Sequence, residues 1–529
     1  MSPRTRERIA LVLWSILLFS VCFRLDTRHN RFPFYYHPDE PGKGDQVLTG
    51  DWNFHHPMLL LTTTELAVRV WHVEREHQAV VEAGRRVSAA FIAASVVAFS
   101  LLAFLWRGWF AALVTGAVLT LHHQFYELAH YMKEDSALVM GVAFTCLAAL
   151  AYAQTPSRKR AVLLGISFGL AISGKYIGVM MLAVAIPAIW IQPPKARWKD
   201  LGLFVAGTAI VMLAVNWPLF WHPGTFSHSL NREMALVIKG QGDSTRRVPH
   251  ALYWNVFLDN STPLIWVFLV SFVISCWQRR HHLLIVQRIL VVFPFAYTLA
   301  LSFSPKENDR YFIPATGLFT VLACLGVQEA PRVVCRGIEL IGLKRPEKLM
   351  VGRWRWEVMI AAALGVLTLQ LTGWSSSKPG WLIYDSAYQR DDMFDLIQWM
   401  RADLPANAIV AADAKTGLPD TDSKRKGRFG RTSAVPQKVM VSKLAADFGT
   451  LDQLRAMGVT HVAVSESSYG RFFRADLRPK DEKDSKFGAD RAFYEELLHG
   501  EPIFDRERGT IIYLHPGIRV YRINDTKAG

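Results

Sequence analysis

The chain has 529 residues, 51% hydrophobic and 12% aromatic, with a formal net charge of +15. So many long apolar runs exclude a purely water-soluble enzyme, and the length suffices for a large membrane domain plus one soluble domain. Five cysteines, none in a CxxC pair and none in the polar C-terminal region, argue against a disulfide framework or a zinc cluster.

The excess of Lys and Arg lies in short loops between apolar segments, which is how membrane orientation is encoded. The bilayer, not nucleic acid, is therefore the expected partner of that charge. The run Arg4-Thr5-Arg6-Glu7-Arg8, followed by apolar Ile9 to Phe23, has the form of a signal peptide. No small-x-small cleavage site follows, and Arg24-Leu25-Asp26 comes instead, so a retained signal-anchor helix is expected.

Apolar segments lie near 9–24, 87–105, 109–126, 136–153, 161–174, 176–192, 201–217, 263–277, 283–304, 311–328 and 357–374. Most approach the roughly 20 residues that a helix needs to cross the hydrocarbon. Basic loops at Arg4–Arg8, Arg107, Arg158–Arg160, Lys195–Lys199, Arg279-Arg280 and Arg332–Arg355 are placed in the cytoplasm. The stretch 57–72, which carries Glu65 and Arg69, is then read as a helix lying in the interface. The apolar region 161–192 reads as two short crossings with Gly174-Lys175 at the outer turn; one long helix with a snorkelling Lys175 is the alternative. The expectation is a multi-pass α-helical membrane protein of about 11 spans, with a cytoplasmic N-terminus and the C-terminal region outside.

From about residue 376 the composition turns polar. Helices are expected at Met393–Leu404, Leu451–Met457 and Asp490–Leu498, and strands at Ala408–Ala412, His461–Val464, Thr510–Leu514 and Ile518–Ile523. Asp413–Pro436 reads as a long polar loop. The domain reading is a membrane catalytic domain over 1–375 and an extracytoplasmic α/β domain over 376–529.

The outer loops of this topology collect charge. His37-Pro38-Asp39-Glu40 follows the first apolar segment, and acidic groups at a membrane boundary are costly unless solvated or paired. A helix N-cap or a solvated turn is the simpler explanation of that pair, as Pro-Asp-Glu-Pro-Gly is turn-like. The same face receives His55-His56, Arg85-Arg86, Lys133-Glu134-Asp135, Lys175, Arg246-Arg247 and Lys306 through Arg310-Tyr311. Lys and Arg on that side run against the usual charge bias, and an anionic ligand such as a lipid phosphate accounts for them. A sugar on a lipid phosphate leaves behind phosphate charge, which cations stabilise, while a carboxylate takes the acceptor's proton.

In order and spacing over residues 1–330 these landmarks resemble the GT-C superfamily of integral-membrane glycosyltransferases, with bacterial aminoarabinose transferases and protein O-mannosyltransferases as nearest relatives. The matching stretches are His37-Pro38-Asp39-Glu40, His55-His56-Pro57, Gly84-Arg85-Arg86-Val87, Tyr131 to Asp135, Ser173-Gly174-Lys175-Tyr176 and Lys306 to Tyr311. The resemblance implies that Asp39 is the catalytic acid of the first outer loop and Asp135 the second acid of the site. It implies that Lys175 and Tyr311 contact the lipid phosphate, and that Arg86 is the family's arginine at the start of the second span. Aminoarabinose transferases have an arginine three residues after the aspartate, where this chain has Gly42 and then Lys43, and a lysine where it has His56.

The expected activity is transfer of a sugar from a polyprenyl-phosphate donor to a protein or glycolipid acceptor at the outer face of a bacterial plasma membrane, and the resemblance implies that it inverts the sugar. Asp39, Glu40 and Asp135 form the expected catalytic set. Lys175, Lys306, Arg310, Tyr311, Arg86, His56, Glu134 and Arg247 form the expected binding set. No required metal or other cofactor is expected, with a divalent ion on His37, His55, His56 and Asp39 as the other reading. A lipid-linked sugar flippase or a non-catalytic scaffold with a binding domain are the rival functions; paired inverted repeats with charge at mid-membrane would mark the first.

Overall fold

A computed structural model supplies the three-dimensional structure and describes residues 2–29, 37–239, 261–303, 309–342, 352–375, 378–421, 434–473 and 484–524. The chain divides into two compact units. The first comprises Met1–Arg31 and Asp39–Leu382, the second Phe32–Pro38 and Ile383–Gly529.

The first unit is helical, and each apolar segment named above forms helix. In chain order it begins with α1 (Pro3–Asp26), α2 (Glu40–Thr49), α3 (Leu59–Val70), α4 (His77–Arg107), α5 (Trp109–Thr120), α6 (His123–Ala129), α7 (Glu134–Gln154) and α8 (Arg158–Gly174). Six helices among the described residues are long and apolar enough to cross a membrane: Thr5–Asp26, His77–Arg107, Glu134–Gln154, Pro194–Val215, Ile285–Ser302 and Arg310–Leu340. Trp109–Thr120, Tyr176–Trp190 and Pro263–Gln278 are apolar but shorter. Segments 161–174 and 357–374 are helical without meeting that measure. The chain is thus an integral membrane protein with multiple spans. Val12, Leu13, Ile16 and Leu17 on α1, and Val205, Ile210 and Leu213 on Pro194–Val215, point outward, as a lipid-facing surface requires.

Helices that pack inside a bilayer gain little from apolar burial, so they close on small residues instead. A Cβ on Gly141 of α7 would stand 2.3 Å from the Cα of Ala171 on α8, so only glycine permits that crossing. Helix α8 stops at Gly174; Lys175 is extended (φ −158°, ψ 145°), and a 3-10 turn over Tyr176–Met181 leads into Leu182–Trp190. The 57–72 stretch contains α3, anchored through Thr62 Oγ1 to the Val215 carbonyl (2.9 Å) and through the Met58 N–H to Asn216 Oδ1 (2.9 Å).

Two expectations shift. Arg85 and Arg86 do not precede the second long helix, because α4 starts eight residues earlier than Arg85, at His77. At about 1.5 Å per residue its 31 residues outrun a hydrocarbon core of roughly 30 Å, so both arginines ride on helix near its end. Residues after 217, expected as loop, form helix at Trp217–Trp221 and Pro223–Lys239.

After Gly352–Thr372 come a short antiparallel pair, β1 (Gly373–Ser375) and β2 (Lys378–Pro379). The second unit is built on β3 (Ile409–Asp413), β4 (Lys438–Ser442), β5 (His461–Ser465), β6 (Pro502–Arg506) and β7 (Ile518–Arg522), in spatial order β4-β3-β5-β7-β6. β3, β4 and β5 are parallel; β7 is antiparallel to both neighbours. Alternation along the strands sorts the core into two faces. Val410, Ala412, Val439 and Val520 face the helix Asp392–Ala402 through Leu396, Ile397 and Met400. Ala411, Val462, Val464 and Tyr521 face Leu451–Ala456 and Ser485–Leu498 through Leu454, Phe493 and Leu497. β4 and β6 were not expected, and Thr510–Leu514 is turn, not strand. The hydrogen bonds from Gly509 N to His515 O and from Leu514 N to Ile511 O close that stretch on itself.

Asp413, at the carboxyl end of β3, is fully buried and ties three elements together. Its Oδ1 accepts from Ala445 N (2.6 Å) and Tyr494 Oη (2.8 Å), and its Oδ2 from Ser465 N (2.9 Å). Replacing it by Ala orphans three buried donors, and replacing it by Asn turns an amide N–H against the N–H of Ser465. Both variants should destabilise the second unit by about 2–4 kcal/mol. Amide hydrogen exchange over β3, β5 and Ser485–Leu498 reads this; unchanged protection there in Asp413→Ala would refute the assignment.

Candidate active site

Four segments of the first unit meet at one end of the bundle: the start of α2, the N-terminal turns of α4, the 130–135 segment opening α7, and Lys175 after α8. Asp39 occupies the N-cap position of α2, with Pro41 in the first turn and left-handed Gly50 (φ 78°) as the stop. Its side chain does not cap the helix. It is turned instead to the ammonium of Lys133, which hydrogen-bonds Asp39 Oδ2.

Glu40 faces inward. Arg85 Nε donates to its Oε1 (2.9 Å) and Arg85 Nη2 to its Oε2 (2.8 Å), both side chains being fully buried. The Met132 N–H adds a third bond to Oε1 (3.0 Å). Gly84 makes this possible, because a Cβ there would stand 2.4 Å from Met132 Sδ. Glu40, expected beside Asp39 in the chemistry, therefore has both oxygens held by the scaffold. Arg85 rather than Arg86 makes the buried contact; Arg86 is half-buried and has no ion pair among the described residues.

Lys133 is the N-cap of α7, in extended backbone (φ −142°, ψ 143°). Glu134 and Asp135 fall in the first turn, where the helix dipole favours negative charge. Glu134 Oε1 takes a hydrogen bond from Lys43 and lies 3.4 Å from His56 Nε2, and its Oε2 is 4.0 Å from Lys133 Nζ. Asp135 Oδ1 accepts from Lys175 Nζ at 2.6 Å. Lys175 also sits over the Tyr311 ring, 4.3 Å from its centre. The Arg310 guanidinium hydrogen-bonds the Tyr131 hydroxyl and lies close enough to act on the charges of Asp135 and Lys133.

Among the described residues, Lys43, Lys133, Lys175 and Arg310 thus face Asp39, Glu134 and Asp135, with Glu40–Arg85 balanced beneath them. Lys43, Lys133, Lys175, Glu134 and Asp135 are buried, while the Asp39 side chain is 45% exposed. Glu134 Oε2 and Asp135 Oδ2 accept no hydrogen bond from a described residue. Burial pulls the His56 imidazole down to about 4, against the opposing pull of Glu134, so near pH 7 it is neutral. His55 Nδ1 is buried without a hydrogen-bond partner among the described residues, and Arg232 and Glu233 of Pro223–Lys239 bear on its charge.

Of the expected site residues, Asp39, Glu134, Asp135, Lys175, Arg310, Tyr311 and His56 converge. Lys306 and Arg247 lie outside the described residues. His37 falls in the second unit, its ring 5.0 Å from that of Tyr513. No group of three or more His, Cys, Asp or Glu side chains among the described residues is arranged to hold a metal ion. Lys43, Arg85 and Lys133 were missed as site residues. Arg85 and Lys133 adjoin the expected Arg86 and Glu134, and Lys43 lies three residues after Glu40 on α2, but side-chain direction rather than adjacency decides which residue enters the cluster.

Residues 71–229, from just before α4 into the helix Pro223–Lys239, match the family described as dolichyl-phosphate-mannose-protein mannosyltransferase. No curated protein matches the chain. The fold is similar to that of ArnT from Cupriavidus metallidurans. The apo structure of that protein compares with a TM-score of 0.53 at 13% identity, covering 98% of this chain and 99% of that one. Its structure bound to undecaprenyl phosphate gives 0.52 at 14% identity, covering 99% of each. Residues 71–229 are thus similar to that mannosyltransferase family, and the chain as a whole shares the membrane-protein fold of ArnT.

Proposed function

We propose that the protein transfers a sugar from a polyprenyl-phosphate donor to a hydroxyl of a protein or glycolipid acceptor, at the outer face of a bacterial plasma membrane. About 11 spans would then put the N-terminus in the cytoplasm and the second unit outside. The observation that carries the reading is the exposure contrast within one cluster. Asp39 is half open to solvent, whereas Lys43, Lys133 and Lys175 and the carboxylates of Glu40, Glu134 and Asp135 are buried.

Asp39 is the general base that takes the acceptor proton. Lys175, Arg310 and Lys306 neutralise the phosphate, and the Tyr311 ring holds the Lys175 ammonium over its face. Glu134 and Asp135 each keep one oxygen without a donor among the described residues, which suits them to accept hydroxyls of the bound sugar. His56, neutral, adds a hydrogen-bonding group rather than charge. Asp135 aligns Lys175, and Glu40 acts beneath Asp39 by fixing α2 to α4. Arg86 and Arg247 are not needed for these steps. The reading requires no metal, because lysine and arginine already occupy the carboxylates and supply the positive charge. Attack by the acceptor opposite the leaving phosphate inverts the sugar.

Mass spectrometry of surface glycans and glycolipids from cells with and without the protein tests the reading: one hexose- or pentose-sized mass should disappear with the gene, and identical profiles would reject it. Asp39→Asn should lower transfer by roughly 10²- to 10⁴-fold while lipid-phosphate binding persists; wild-type turnover would remove Asp39 from the mechanism. Arg85→Met should cost about 3–5 kcal/mol by stranding a buried carboxylate. Adding Glu40→Leu should restore much of that stability, and a double variant no more stable than Arg85→Met would show that the pair is not what holds α2.

A further inference from the structure

The deepening inference rests on the reading of Asp39 as base and concerns Lys133, whose neighbours place it between the two centres of charge. Lys133 is 5% exposed, and among the described residues the one hydrogen bond of its ammonium goes to Asp39 Oδ2. Glu134 Oε2 is 4.0 Å away, and Arg310 and Lys175 are near enough to repel it. A contacting cation stabilises the ionised carboxylate, so a fixed Lys133 would make Asp39 a poor base.

Transfer itself removes the conflict. The acceptor O–H bond breaks and its proton goes to Asp39. The acceptor oxygen bonds to the anomeric carbon. The bond from that carbon to the phosphate oxygen breaks, leaving its electron pair on that oxygen. Asp39 becomes neutral, and a phosphodiester with one negative charge becomes a phosphate monoester with two. One unit of negative charge has therefore moved from Asp39 to the phosphate.

We propose that Lys133 follows this charge, holding Asp39 before transfer and swinging to the departing lipid phosphate as Asp39 takes the proton. The flexible four-carbon stem and compact ammonium suit that motion, where a planar guanidinium in a fixed fork would not. Its neighbourhood favours it too. Burial, with Arg310 and Lys175 adding and Glu134 and Asp135 opposing, pulls the ammonium down to about 8, so a new anion stabilises it. Lys133 thereby couples proton removal to leaving-group departure, a role distinct from the standing cations Lys175 and Arg310.

Asp39→Asn mimics the protonated base, so the full-length protein in nanodiscs with undecaprenyl phosphate as probe tests the coupling. Asp39→Asn should bind the probe on the order of tenfold more tightly than wild type, and Lys133→Met on the order of tenfold more weakly. In the Asp39→Asn, Lys133→Met double variant the gain from Asp39→Asn should vanish, and Lys133→Arg should recover part of the affinity. Lys133→Gln serves the same arm if Lys133→Met does not fold. Equal affinity of Asp39→Asn and wild type, or a gain that survives without Lys133, would overturn the proposal. If Asp39→Asn abolishes transfer without changing affinity, Lys133 is a static partner and only this inference fails. If Asp39→Asn transfers at the wild-type rate, the reading of Asp39 as base fails instead.

Discussion

The buried pair between Glu40 and Arg85 is the contact on which the rest of the site depends. Two fully buried ionised side chains are tolerated only when each is closely paired and hydrogen-bonded. Here the pair is bidentate and the Met132 N–H supplies a third bond. That single point joins α2, α4 and the segment before α7. Asp39 is one residue from it on α2, and Lys133 is one residue from Met132. The position of the exposed acid relative to its lysine is thus fixed by a contact that touches no solvent.

Above that anchor, the cluster divides its charges by depth. Lys43, Lys133 and Lys175 are buried against Glu134 and Asp135, and only Asp39 is substantially open. Removing so many charges from water is costly, and ion pairing with further hydrogen bonds offsets it. A purely structural network would satisfy its carboxylates fully. This one leaves an oxygen of Glu134 and an oxygen of Asp135 without a described donor. Strain of that kind concentrates where a ligand completes the bonding, and the cations beside it set the sign of that ligand.

The second unit follows a different logic. Its sheet buries apolar residues on both faces, and Asp413 binds β3 to the turn after β4, the end of β5 and the helix Ser485–Leu498 through three hydrogen bonds. Its strands are five residues long, and apolar packing on both faces surrounds that polar knot. The helices of the first unit close instead on small residues, as at Gly141 against Ala171.

Hydropathy and charge alone gave the apolar helices, the helical α3, the break at Lys175 and most of the tail's helices and strands, because these depend on local composition and period. The paired acids Asp39-Glu40 and Glu134-Asp135 were legible because charged residues are rare beside apolar segments. The strands β4 and β6 were not: Lys438 to Ser442 and Pro502 to Arg506 have weak alternation, and their neighbours in the sheet define them. Nor was the division of labour within the acid pair, nor the choice of Arg85 over Arg86. Successive helical side chains point about 100° apart, so adjacent residues that look equivalent in sequence face different surroundings. Local chemistry therefore determined which segments carry charge to one end of the bundle, and only helix packing decided which of those side chains meet.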